Sequence, residues 1–388
     1  MVNCTTCIST ISPFFFSPKI KSPILSKIQV DMTTQFHKLK ISNLRNPIKD
    51  AMTVTFELPN HLYESFNYHP GQHLIIKFNI DGKEARRSYS LNSCPFDENE
   101  PLEVTVKRVK GGLVSNFVND KLKVGDELEV MIPQGRFYAK IDEKAYKTYF
   151  LFAAGSGITP VISILKSVLA ASPYSAVNLF YGNTNQDTII FKKELDDLQN
   201  KYPERLNVVH TLSDPKVWTS WEQWKGKKGR IDAKSVEDFI TENPPIAQTT
   251  EYYICGPGTM NLNVRKTLLG LDIPKELIHI EQFGGNIEDS NNEIKAVENA
   301  KLTAKLNGQT YNLNIPKGKS ILQDLKDANA NPPYSCESGV CATCVAKVTK
   351  GSAEMKACMA LEDTDIEKGF VLTCQALPTS ESIQVDFQ

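Results

Sequence analysis

From Phe36 to about Ile141, apolar and polar residues alternate with a period near two. The segments Phe36–Ile41, Thr53–Phe56, His73–Phe78, Leu102–Val106 and Glu127–Ile132 carry this pattern. Turn pairs at Pro70-Gly71, Asp81-Gly82 and Gly125-Asp126 separate them. Short alternating runs between turn signals predict an antiparallel β-barrel over residues 35–143. One short helix opens near Gly111-Gly112. From Lys147 to Phe283 the rhythm changes to strand then helix. Apolar runs at Thr148–Ala153, Val177–Tyr181, Leu206–His210, Glu251–Cys255 and Ile278–Glu281 alternate with helical stretches at Pro160–Ala170, Phe191–Asn200, Ala233–Ile240 and Asn261–Leu269. That alternation predicts an α/β doubly wound parallel sheet over residues 144–283. Residues 284–300 are polar, acidic and rich in Asn, the composition of a linker. Residues 301–388 read as a small α+β unit, with strands at Lys301–Leu306 and Gln309–Ile315 and a helix at Ser320–Ala328.

Residues 1–34 break from this order. They are rich in Ser, Thr, Pro and Ile and hold no acidic residue before Asp31. They lack the basic start and unbroken apolar core of a signal peptide, and the arginines of a transit peptide. An unstructured tail is expected, with the ordinary sequence opening at Met32. Cys4 and Cys7 form a lone C-x2-C, which is weak as a metal or redox signal.

Across 388 residues, 41% are hydrophobic and 23% charged, enough for two or three ordinary cores. The net charge of −1 implies no nucleic-acid partner. No apolar run approaches the ~20 residues of a membrane span. Nine cysteines show no paired framework, so a reducing, cytoplasmic setting is expected.

Four of those cysteines set the chemistry. Cys336, Cys341 and Cys344 follow C-x4-C-x2-C, and twenty-nine residues separate Cys344 from Cys374. This is the plant-type [2Fe–2S] spacing. Two irons need four thiolates, three from a tight loop and one from a distant strand. Ser338, Gly339, Ala342 and Thr343 are small enough to let loop N–H groups turn towards the sulfurs. A zinc site favours two C-x2-C knuckles, and this segment has one. A disulfide pair needs an oxidising compartment.

A one-electron centre needs a source, and three strings suit it. Arg86-Arg87-Ser88-Tyr89-Ser90-Leu91 lies in the barrel, ahead of Lys107-Arg108-Val109-Lys110-Gly111-Gly112-Leu113-Val114-Ser115. Glycines opening a helix leave N–H groups free for phosphate. Ala153-Ala154-Gly155-Ser156-Gly157-Ile158-Thr159-Pro160 follows a predicted strand and opens a predicted helix, as a dinucleotide pyrophosphate requires. Cys255-Gly256-Pro257-Gly258 ends a later strand on the same sheet edge.

In this order the parts resemble a ferredoxin–NADP⁺ reductase-type flavoprotein with a C-terminal plant-type ferredoxin, over about residues 35–388. Within that superfamily the chain is similar to the reductases of bacterial multicomponent oxygenases, the phenylacetyl-CoA epoxidase type most of all. The resemblance implies a β-grasp-like ferredoxin unit at the C-terminus and FAD, a [2Fe–2S] cluster and NADPH or NADH as cofactors. It implies that Arg87 pairs with FAD phosphate, Tyr89 stacks on the flavin ring and Ser90 reaches its N5 edge. Gly112, Val114 and Ser115 would cap the flavin pyrophosphate. Gly155, Gly157 and Thr159 would hold the nicotinamide dinucleotide. Cys255 and Glu281 would flank the meeting point of the two rings, with Phe283 closing it. Cys336, Cys341, Cys344 and Cys374 would ligate the cluster. The implied function is NAD(P)H oxidation coupled to a partner oxygenase component. A Rieske-type dioxygenase is the alternative partner, and a redox sensor or carrier is the non-enzymatic alternative.

Relatives using NADPH often carry Arg just after Tyr-Gly-Asn. Here Tyr181-Gly182-Asn183 continues as Thr184-Asn185, so Lys192, Lys193 or Arg205 would have to substitute. Other features are read plainly. Trp218, Trp221 and Trp224 have the spacing of a packed helical patch. Glu362, Asp363, Asp365 and Glu367 read as a solvated face. Glu276-x-x-His279 is half a di-iron ligand set without its second copy. Cys358 lies off the ligand spacing and reads as a spare thiol.

Overall fold

The computed structural model describes residues 35–216, 224–247, 249–283, 294–337, 339, 342–358, 360–361 and 363–387. The expected N-terminal tail, Trp218, Trp221, Ser338, Cys341 and Glu362 lie outside these. In the first unit, β1 (Phe36–Ile48), β2 (Ala51–Glu57), β3 (His73–Ile80), β4 (Lys83–Ser90), β5 (Leu102–Lys107) and β6 (Glu127–Met131) form one sheet in the order β4-β3-β6-β1-β2-β5. Every pairing is antiparallel. An antiparallel bridge between Leu91 and Val104 joins the two ends and closes the barrel. Inward residues such as Leu39, Ile41, Val54, Leu74, Ile76 and Val104 form its core. Helix α1 (Leu113–Asp120) starts directly after Gly112, as the paired glycines predict.

The second unit is a six-stranded sheet in which every strand runs parallel. It contains β7 (Lys147–Ala154), β8 (Ala176–Asn183), β9 (Leu206–Leu212), β10 (Lys227–Lys228), β11 (Thr249–Cys255) and β12 (Ile278–Glu281), ordered β10-β9-β8-β7-β11-β12. Helices α2 (Ile158–Ala171), α3 (Lys192–Lys201), α4 (Ala233–Glu242) and α5 (Gly258–Gly270) cover its faces. The chain runs outward from β7 through β8 to β10, then returns to β11 on the other side of β7. The switch point therefore falls between β7 and β11, where ligands bind in such sheets. Strands buried on both faces read as continuous apolar runs, which is why Thr148–Ala153 and its counterparts are legible in the sequence. On one face Phe239 of α4 stacks on Phe180, with centroids 4.9 Å apart, and meets Phe150 and Phe152 edge-on. Trp224 packs on the core of this unit, as a packed patch predicts, but belongs to no helix. Its indole N–H donates to the Lys227 carbonyl, and its ring meets His210 edge-on.

The barrel and the parallel sheet share one apolar core, which takes Ala51, Phe137 and Ala139 from the first unit. Polar contacts reinforce the seam. Ser163 donates to the Ser93 carbonyl at 2.6 Å, and Lys166 bridges Glu100 and Glu194. The third unit contains β13 (Asn299–Leu306), β14 (Gln309–Pro316), α6 (Ile321–Asp327), β15 (Val345–Lys350), β16 (Ala353–Met355), α7 (Asp363–Glu367), β17 (Phe370–Leu372), β18 (Ala376–Pro378) and β19 (Ser382–Asp386). Its main sheet has the order β14-β13-β19-β15-β17, with β13 and β19 parallel. This is the β-grasp-like arrangement expected. Strand β13 starts inside the segment read as linker, because Val297 already packs on this unit's core.

Among the described residues, no apolar cluster joins the third unit to the other two. Its attachments are charged. Arg136 pairs with Asp365 at 2.6 Å. Arg86 donates to Asn331 at 3.3 Å and lies 4.4 Å over the Tyr334 ring. An exposed ion pair such as Arg136–Asp365 is worth roughly 1 kcal/mol or less and a desolvated cation–π contact about 2 kcal/mol, so this joint is weaker than the shared core.

Replacing Phe239 by Ala removes the centre of the aromatic slab. The expected cost is about 3–5 kcal/mol of stability, read as a lower urea midpoint.

Candidate functional site

A cavity of about 590 Å³ opens where the three units meet. The barrel contributes Arg87, Tyr89 and Ser90 from β4 and Thr105 and Lys107 from β5. The start of α1 contributes Gly112, Val114 and Ser115. The parallel sheet contributes Ser156 and Thr159 after β7, and Glu281 and Phe283 around the end of β12. The third unit contributes Cys336. Sequence reading names Arg87, Tyr89, Ser90, Gly112, Val114, Ser115, Thr159, Glu281, Phe283 and Cys336, and the fold brings them to one space.

Gly155, Gly157 and Cys255 stand behind that surface rather than on it. Gly155 has φ +55°, and the Tyr181 hydroxyl donates to its carbonyl at 2.9 Å. A Cβ on Gly157 would fall inside the Cys255 carbonyl. The two strand ends at the switch point thus approach so closely that only glycine fits. Cys255 is fully buried, and burial, then the nearby Glu281, push its thiol pKa well up. It is a neutral thiol.

Glu281 is the buried carboxyl of the cavity. Its side chain is one-tenth exposed, and burial raises its pKa to about 8. The Ser90 hydroxyl donates to its Oε2 at 3.5 Å, a weak contact. The Asn261 side chain donates to its backbone carbonyl at 2.9 Å and fixes the end of β12 against α5. His73 Nδ1 lies 3.8 Å from Glu281 Oε1, and burial lowers the imidazole pKa to about 4. Between about pH 4 and pH 8 both groups are neutral, so their contact is not an ion pair.

Helix α1 is capped by Gly112, which offers no side-chain acceptor to the first N–H groups. Such an end is suited to phosphate. Ser115 Oγ already accepts from the Val109 N–H at 3.1 Å. Sequence reading includes Lys107 only as the start of the string leading to Gly111-Gly112, with no role of its own, and does not single out His73. Lys107 Nζ lies 3.3 Å from where a Gly155 Cβ would sit, so the barrel places a cation at the sheet's glycine turn. The Gln282 side-chain oxygen is buried without a partner. The cavity's size, aromatic wall, glycine turn and cations fit a flavin and a nicotinamide dinucleotide.

At the cysteine loop, Glu337, Gly339 and Ala342 all have φ between +53° and +80°. These left-handed residues turn the backbone tightly, and a Cβ on Gly339 would meet the Ala357 carbonyl at 2.8 Å. A hydrogen bond with Cys344 leads the causes that hold the Cys374 thiol below its ordinary pKa, and Cys336 is within electrostatic reach. The Thr373 N–H and hydroxyl both donate to the Cys344 carbonyl and tie the two ligand-bearing segments together. Among the described residues no group of three side chains is gathered to hold a metal ion, and Cys341 lies outside them. The donor chemistry of the three described thiols fits a thiolate-held cluster. Cys358 packs in the same apolar cluster as Cys344 and Cys374.

The buried carboxyl has a pH signature. Its folded pKa exceeds its unfolded value, so its stabilising share is complete below about pH 4.5 and is lost as pH rises through about 8. Stability of the wild-type chain should fall by roughly 2–4 kcal/mol over that range, and Glu281→Gln should flatten the slope. Urea unfolding at stepped pH measures it. His73 acts on the acid side, where stability is lost as pH falls from about 6.5 towards 4.

Comparison with known proteins gives three domain matches. An oxidoreductase FAD-binding domain matches residues 38–138, an oxidoreductase NAD-binding domain residues 151–266, and a 2Fe-2S iron-sulfur cluster binding domain residues 304–379. The chain is 34% identical over 358 residues to a 1,2-phenylacetyl-CoA epoxidase subunit of Escherichia coli (strain K12), across 91% of this chain and 98% of that one. It is 32% identical over 361 residues to the ferredoxin reductase component of 3-ketosteroid-9-alpha-monooxygenase from Rhodococcus rhodochrous, across 90% and 96%. A solved phthalate dioxygenase reductase superposes with a TM-score of 0.56 at 23% identity, across 91% of this chain and 98% of that chain, a likeness of fold. With FAD-, NAD- and [2Fe–2S]-binding domains in this order, the chain belongs to the family of ferredoxin-type reductase components of multicomponent oxygenases.

Proposed function

We propose that this chain oxidises NADH or NADPH and passes the electrons through FAD and a [2Fe–2S] cluster to a separate oxygenase component. A di-iron partner of the phenylacetyl-CoA epoxidase type is the reading that the epoxidase relative favours. One observation carries the proposal. A single cavity is lined at once by the barrel, by the switch-point edge of the parallel sheet and by Cys336 of the cysteine loop. When bound, the nicotinamide supplies electrons in pairs, the flavin divides the pair and the cluster carries single electrons onward.

The chain's own residues bind, orient and shield. Arg87 would pair with flavin phosphate, and the N–H groups at the start of α1, beside Gly112, Val114 and Ser115, would cap the pyrophosphate. The Tyr89 ring, which lines the cavity, would lie on the flavin. Gly155, Gly157 and Thr159 would seat the nicotinamide dinucleotide, with Lys107 beside its phosphates. The Ser90 hydroxyl and the protonated Glu281 carboxyl would hold protons at the flavin's reacting edge. Cys255 would wall that edge from water, and Phe283 would close it. Cys336, Cys341, Cys344 and Cys374 would ligate the cluster.

On the choice of nucleotide the geometry favours NADH. Arg205 donates to the carbonyls of Val168, Leu169, Ser172 and Ser175. Lys192 pairs with Asp196, and Lys193 with Asp197. The three cations that would substitute for the missing Arg after Asn183 are therefore engaged. Asp214 is held at this edge by its N–H bond to the Thr184 carbonyl, and a carboxylate there suits a ribose hydroxyl better than a phosphate. Among the described residues, Cys94 and Cys255 are buried thiols outside any disulfide, which supports a cytoplasmic location. Among the described residues no helix is long and apolar enough to cross a membrane.

Anaerobic titration followed by visible spectrum tests the electron path. NADH should bleach the flavin band and then the cluster band. Cys374→Ser should lose the cluster band while the flavin still bleaches. A chain that binds neither chromophore after reconstitution overturns the proposal. Steady-state kcat/KM should favour NADH over NADPH by about tenfold or more, the loss of a paired phosphate contact. A preference for NADPH would point instead to Arg230, exposed beside Ile231, whose side chain meets Gly182.

A further inference from the structure

We propose that Arg86 and the Arg136–Asp365 pair are positioning contacts that dock the ferredoxin unit on the flavin barrel and set the rate of flavin-to-cluster transfer. The inference rests on the functional reading above.

Arg86 is charged yet only 8% exposed. A buried charge is costly unless it is paired. Its partners come from both sides of a joint. Within the barrel, its Nε donates to Glu84 at 2.8 Å and the Phe36 ring lies 5.1 Å from the guanidinium. Across the joint, the Tyr334 ring lies 4.4 Å away, and Asn331 accepts from Nη2 at 3.3 Å. Without the ferredoxin unit, half of this environment would be lost.

The contact grips the part of the ferredoxin unit that matters. Asn331 and Tyr334 lead directly into Cys336, which lines the flavin cavity. Lys326, at the end of α6, clasps the same loop from the far side. Its ammonium lies 4.1 Å over the Tyr334 ring and 3.0 Å from Glu337. Tyr334 is thus held between two cations, one from each unit.

One attachment would leave the unit free to pivot. The Arg136–Asp365 pair at 2.6 Å supplies a second, on α7. The units share no apolar core among the described residues. Salt screens exposed ion pairs over about 10 Å at ~0.1 M, and buried contacts with neutral partners much less. The Arg136–Asp365 attachment should therefore loosen as ionic strength rises, while the Arg86 contact with Asn331 and Tyr334 and the seam between the barrel and the parallel sheet stay in place.

The step served is simple to balance. With flavin and cluster bound, each transfer would take one electron from reduced flavin and convert one ferric iron to ferrous. The second transfer would follow once the oxygenase component has taken the first electron from the cluster, and one proton per nicotinamide oxidised would go to solvent.

The test uses the flavin- and cluster-loaded full chain and four variants: Arg136→Asp, Asp365→Arg, the double exchange, and Arg86→Gln. Small-angle X-ray scattering reads docking directly. Anaerobic stopped flow with NADH reads flavin bleaching and cluster bleaching separately. The single reversals and Arg86→Gln should enlarge the radius of gyration and slow cluster bleaching about fivefold or more, with flavin bleaching unchanged. The double exchange should restore both, which a merely structural defect would not allow. Raising salt from about 50 to 500 mM should shift wild-type scattering and cluster bleaching part of the way towards the Arg136→Asp values. Unaltered scattering and cluster bleaching in all the single variants, or failure of the double exchange to rescue, would overturn the inference. If flavin never bleaches in the wild type, the functional reading fails instead, and scattering still decides the docking.

Discussion

The structure depends on the place where β7 and β11 lie side by side. The parallel sheet reverses its order there, and two strands end together with Ala153 opposite Cys255. The chain leaving β7 must turn immediately into α2, and it does so across the carbonyl of Cys255. That approach leaves no room for a Cβ at Gly157. It also turns Ser156 and Thr159 towards the cavity, where the barrel's Lys107 meets the turn. The shared apolar core of the first two units holds this edge against the barrel wall. Without that rigid seam, the flavin-facing and nucleotide-facing residues would belong to separate surfaces.

Two kinds of joint therefore exist in one chain. The first is a continuous apolar core with buried hydroxyl and ammonium contacts, which fixes geometry permanently. The second is a set of polar contacts around Arg86 and Arg136, with no shared apolar core among the described residues. The chemistry divides in the same way. Nucleotide and flavin must meet in one defined arrangement, whereas a cluster that serves an external oxygenase has two partners to face.

The sequence reveals most where backbone geometry restricts residue choice. Gly112, Gly155, Gly157 and the cysteine spacing are legible because turns and ligand loops tolerate few alternatives. The buried parallel strands are legible as apolar runs, and the barrel strands as alternation. Residues whose meaning depends on strand register are not. Arg86 and Arg87 are neighbours in sequence, yet Arg87 faces the cavity and Arg86 meets Tyr334. Lys107 is an ordinary strand end until β5 places it beside Gly155. His73 reads as an ordinary strand position. The short strands from Val345 to Asp386 carry too few residues each to show a period. Val297 is hidden in polar surroundings, so composition alone extends the linker a few residues too far.

The crowding at Gly157 has a consequence for how this site can vary. Any side chain there would collide with backbone, which cannot step aside as a rotamer can. A saturation library at this codon should return glycine alone. Its neighbour Ser156 opens onto free volume, so tuning of nucleotide affinity has one residue of latitude directly beside one with none.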